Sequence, residues 1–119
     1  MNIVAWLDTL QRELTDAGQE RVAQLIDRIP ELTHDNKREQ VEALLPEALS
    51  AARALKNPWL EIYFRHWEMR NRLSNNGEGE SALAEVVSLL ELSHRPENLD
   101  CPQSVCTTHD ISGCYSNVD

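Results

Sequence analysis

Apolar residues recur at helical spacing along almost the whole chain, and the breaks between the runs carry residues that start or stop helices. No segment of alternating β-branched residues competes, so the pattern predicts an all-α protein of about six helices. The first is expected from about Asn2 to Ala17, with Ile3, Leu7, Leu10 and Leu14 on one stripe, Trp6 beside it and Gly18 as C-terminal cap. Val22, Leu25, Ile26 and Ile29 predict a short second helix that Pro30 ends or kinks, because proline lacks an N–H and its ring crowds the preceding turn. Helices one and two are expected to pair as a hairpin.

A third helix starts near Asp35 or Asn36, either a suitable cap. It carries Val41, Leu44, Leu45, Ala48, Ala52 and Leu55, with a kink expected at Pro46. Asn57 caps a fourth helix opening on Pro58, where a missing N–H costs nothing. Trp59, Leu60, Ile62, Tyr63, Phe64, Trp67, Met69 and Leu73 cover more than one stripe of it, which predicts an inner helix covered on two sides. Asn75-Asn76-Gly77-Glu78-Gly79 reads as a tight turn. A fifth helix from about Glu80 to His94 would bury Leu83, Val86, Val87, Leu89, Leu90 and Leu92, and Arg95-Pro96-Glu97-Asn98 ends it. Asp100-Cys101-Pro102 opens a sixth, running through Val105, Ile111 and Tyr115 toward Val118. No further segment covers that last helix, which implies a homo-oligomer formed through it or a longer natural chain.

Composition narrows the partners. The chain has 119 residues, enough for one domain with a core of its own, and 41% of them are hydrophobic. Twenty acidic against 11 basic side chains give a net charge of -9, which opposes a phosphate backbone or an anionic membrane surface. No run approaches the ~18 apolar residues of a membrane span. The start, Met1-Asn2-Ile3-Val4-Ala5-Trp6-Leu7-Asp8, lacks the basic region of a signal peptide. Three cysteines near the C-terminus, Cys101, Cys106 and Cys114, are too few and too crowded for a disulfide framework, so the expected compartment is the reducing cytoplasm.

Helix-opening prolines at Pro58 and Pro102, and the likeness of Leu45-Pro46-Glu47-Ala48-Leu49 to Leu83-Ala84-Glu85-Val86-Val87, suggest irregular internal repetition of helix pairs. The stretch Ile111-Ser112-Gly113-Cys114-Tyr115-Ser116-Asn117 resembles the first helix of a tetratricopeptide repeat, where a large apolar residue, a small residue and an aromatic come in order. Ser112 holds the small position with Gly113 displaced by one, and no second helix completes the unit. The resemblance implies an α-solenoid fragment of stacked helix-turn-helix pairs that binds a protein or peptide in a concave groove.

Candidate chemistry is sparse. His109-Asp110-Ile111-Ser112-Gly113 resembles the His-Asp core of metal-dependent HD phosphohydrolases, which gather His and Asp from several helices around divalent ions. His66 or His94 could supply an upstream ligand, but no long downstream segment brings a second Asp. Cys101, Cys106, His109 and Cys114 are zinc-ligand types. On one helix, however, Cys106 and Cys114 stand about 12 Å apart along the axis, too far for one tetrahedral ion. Glu91 and His94 form a single Glu-x-x-His pair where di-iron bundles need two. No metal, cofactor or catalytic residue is therefore assigned, and the chain is read as a non-enzyme.

Arg65, His66, Arg70 and Arg72 make the fourth helix locally basic, a place for an acidic group of a partner, although Glu61 to Arg65 and Glu68 to Arg72 are also spaced as helix-surface ion pairs. Trp59, Tyr63 and Trp67 read as core first and peptide groove second. The expected function is a protein-interaction scaffold, with Arg65, His66, Arg70 and Tyr115 as partner-binding residues. An acidic immunity-like inhibitor of a basic partner and a degenerate HD-type hydrolase are the alternatives.

Overall fold

The computed structural model describes residues 2–73 and 79–103, and among these the backbone holds five α-helices and no strand. They are α1 (Ile3–Asp16), α2 (Glu20–His34), α3 (Arg38–Ala54), α4 (Pro58–Leu73) and α5 (Gly79–Ser93), with a short 3₁₀ turn after them at Pro96–Asn98. Of the expected sixth helix only Pro102 and Gln103 fall among the described residues, where both have helical backbone; everything from Ser104 onward, Tyr115 included, lies outside them.

Local chemistry fixes the ends. The Asn2 side chain accepts the Ala5 N–H at 2.8 Å and caps α1. Asn57 does the same for α4, accepting the Leu60 N–H at 3.2 Å. Between α1 and α4 one turn geometry is used three times. Gly18, Asn36 and Lys56 each take positive φ, at 78°, 58° and 53°. At each, two N–H groups fold back onto the last helical carbonyls: Gly18 to Thr15 and Gln19 to Leu14, Asn36 to Thr33 and Lys37 to Leu32, Lys56 to Arg53 and Asn57 to Ala52. This pairing satisfies carbonyls the helix end would orphan, and it reverses the chain in three residues. Asn36 thus closes α2 instead of capping α3, whose N-cap position falls to Lys37.

Neither internal proline interrupts its helix. α2 continues past Pro30 to His34, and α3 runs through Pro46 to Ala54. At Pro30 the cause is visible. The Ile26 carbonyl, which an ordinary residue 30 would have satisfied, instead accepts the buried Tyr63 hydroxyl at 2.7 Å.

Each helix packs on the next, and α2 also meets α4. The larger core gathers Leu10 and Leu14 of α1, Leu25, Ile26 and Ile29 of α2, Val41, Leu45 and Ala48 of α3, and Leu60, Tyr63 and Phe64 of α4. A second core joins Ile62 and Met69 of α4 to Val86 and Leu89 of α5 and to Cys101. α4 therefore carries apolar side chains toward both, as its broad apolar surface predicts. Apart from Thr33, the buried polar residues fall from α4 onward: His66, Asn71, Ser93, Asn98 and Gln103. Val87, expected inside, is 41% exposed. Arg21 of α2 pairs with Glu47 of α3 through two hydrogen bonds of 2.8 and 3.1 Å, and the guanidinium holds the Glu47 carboxyl below its usual range.

Candidate binding groove

On α3, Glu42, Pro46, Leu49, Ser50 and Arg53 recur at helical spacing and share one stripe; on α4, Glu68, Asn71 and Arg72 do likewise. The two stripes, with Leu45 between them, line an open groove of about 720 Å³. α3 and α4 run antiparallel, since Arg53 at the end of α3 reaches Glu61 near the start of α4 at 3.1 Å. Glu42 thus stands at the same end of the groove as Asn71 and Arg72. From Glu42 to Arg53 the helical rise gives the groove a length of about 16 Å. Its floor is apolar, supplied by Leu45, Pro46 and Leu49, and its rim is charged, the combination found in sites that hold a peptide side chain by burial and its neighbours by polar contacts.

Glu42 is held from its own helix, where the Arg38 guanidinium donates to its carboxylate at 3.0 Å. A smaller recess of about 390 Å³ between α1 and α2 is lined by Gln11, Thr15, Glu20, Ala23, Gln24 and Asp27, with Ala23 its one hydrophobic side chain.

The basic residues singled out on α4 are dispersed. His66 is buried, with 2% of its surface exposed, so it belongs to the interior and is not available to a partner. Its ring lies edge-on to Trp67 at 5.5 Å. Arg65 donates to Ser88 Oγ of α5 at 3.1 Å rather than pairing with Glu61, which Arg53 of α3 has taken. Arg70 lies over the Trp67 ring at 4.7 Å and is exposed. Of that group only Arg72 lines the groove. Sequence reading missed the α3 side altogether; the signal it held was the exposed stripe through Pro46.

Of the aromatic row, Tyr63 is core, and Trp59 and Trp67 pack half-buried against it. Trp6 meets Trp59 and Tyr63 edge-on at 6.2 and 6.1 Å, Tyr63 meets Trp67 at 6.5 Å, and Trp67 meets His34 at 5.6 Å. The Trp59 indole N–H donates to the Glu97 carbonyl at 3.2 Å and ties the 3₁₀ turn to α4. Burial pushes the Tyr63 phenol above its ordinary pKa, and the charge of Asp27 adds to the shift.

Among the described residues no three His, Cys, Asp or Glu side chains converge as a metal site. His94 Nδ1 lies 2.8 Å from its own helix's Leu90 carbonyl, and both it and Glu91 are exposed. Cys101 is fully buried; Cys106, His109, Asp110 and Cys114 lie outside the described residues. No described helix is long and apolar enough to cross a membrane. The chain matches no protein-family model, no curated protein and no solved structure.

Proposed function

We propose that this chain is a protein-interaction module of the helix-hairpin-repeat kind, similar in plan to tetratricopeptide repeats, that holds a peptide or a protein surface in the α3–α4 groove. The groove itself carries the reading: an open channel between two antiparallel helices, with an apolar floor of Leu45, Pro46 and Leu49 and charged walls. Three successive reversals of one geometry support it, because they stack helices side by side and leave such furrows on the surface.

Selection of a displayed library of random peptides against the protein tests the proposal. Ser50 is exposed on the groove wall, so Ser50→Arg fills the channel without touching the core. Peptides recovered on the parent protein should lose binding to Ser50→Arg. Peptides that bind both equally would move the function elsewhere on the molecule.

A further inference from the structure

The two internal prolines leave two helical carbonyls without their usual donors, and the fold treats them differently. Ile26, below Pro30, receives the Tyr63 hydroxyl. Glu42, below Pro46, receives no side-chain donor from the described residues, and both Glu42 and Pro46 line the groove. An acceptor thus stands on the groove wall beside the Glu42 carboxylate, which has lone pairs to spare after binding Arg38. At the far end the charge of Arg53 is met by Glu61. On the opposite wall half-buried Arg72 repels an incoming cation near Glu42, with Glu68 one turn earlier on the same helix.

Resting on the groove reading above, we infer that the occupant is a basic peptide: an apolar side chain seated on Leu45 and Leu49, and a Lys or Arg head donating to the Glu42 carbonyl and carboxylate. A guanidinium or ammonium suits the pair because it brings several N–H donors to two acceptors at once. Net charge agrees in sign, since a chain at -9 draws a cationic partner and repels its own copy. The segment after the described residues cannot supply that head. Residues 104–119, Ser-Val-Cys-Thr-Thr-His-Asp-Ile-Ser-Gly-Cys-Tyr-Ser-Asn-Val-Asp, contain neither Lys nor Arg.

Pro46→Ala supplies the missing N–H to Glu42 and leaves the apolar floor nearly intact, so it separates this inference from the groove itself. Peptides of about twelve residues, long enough for a 16 Å channel in helical or extended form, are selected from a random displayed library. The inference expects the recovered set to be enriched in Lys and Arg, to bind Pro46→Ala and Glu42→Gln about tenfold more weakly, and not to bind Ser50→Arg. Circular dichroism checks that each variant keeps its helices. Peptides without basic enrichment that still fail on Ser50→Arg would overturn the basic occupant while leaving the groove in use. Peptides indifferent to Ser50→Arg would overturn both.

Discussion

The Tyr63 hydroxyl donates at 2.7 Å to the carbonyl of Ile26, the residue one helical turn before Pro30. A tyrosine of α4 thereby fills the gap that proline opens in the hydrogen bonds of α2. Tyr63→Phe should destabilise the protein by about 1–3 kcal/mol, since it strands a buried acceptor. Adding Pro30→Ala restores a backbone donor and should recover a good part of the loss. Urea unfolding of the two single variants and the double would show it as a coupling between the sites; strictly additive effects would mean the two residues do not serve the same carbonyl.

The same hydroxyl makes stability fall at high pH. Its folded-state pKa is raised, by burial first and by Asp27 second. The folded state therefore holds the phenolic proton after the unfolded chain has released its own near pH 10, and unfolding gains on folding as pH rises from there. The expected decline approaches about 1.4 kcal/mol per pH unit beyond pH 10 and should be absent in Tyr63→Phe. Asp27→Asn should lower the pH at which tyrosinate absorbance appears, which a spectrophotometric titration reads directly.

At Gly18, φ is +78° and a methyl group would meet nothing within 4 Å, so Gly18→Ala tests backbone conformation alone. It should cost about 1 kcal/mol. Lys56→Gly, at φ 53°, should run the other way and stabilise by about 0.5–1 kcal/mol. Thermal melts of both variants check the pair; equal and negligible shifts would mean that these turns store no strain.

Cys101, three residues after the 3₁₀ turn that Trp59 holds through the Glu97 carbonyl, is fully buried in the core of Ile62, Met69, Val86 and Leu89. In a Cys106→Ser, Cys114→Ser background its thiol should resist a thiol reagent in the native state, and Trp59→Phe should speed the reaction by freeing that turn. Rapid labelling of the background protein would show that the segment opens without help.

Helices one and four were legible from local signals, with Gly18, Asn57 and Pro58 acting where their chemistry suggests, and helix five from its apolar spacing. What escaped was the work of distant partners. Pro30 reads as a stop because the rescue by Tyr63 comes from two helices later in the chain. Glu61 has a suitably spaced arginine on its own helix, yet Arg53 across the α3–α4 turn claims it. Lys56 carries no turn signature, and only the two N–H groups folding back around it reveal its left-handed backbone. The groove was invisible for the same reason: α3 and α4 each show an unremarkable polar stripe, and the channel exists only where the two stripes face each other.

Because Phe64 of α4 sits in one core and Ile62, two positions away, sits in the other, this helix cannot drift as its neighbours can. A rotation or slide that accommodates a new side chain against α2 displaces the packing against α5 at the same moment. Divergent descendants of this sequence should therefore change α1 and α5 freely and α4 only in concert with both sides, so that its residues co-vary across the whole molecule.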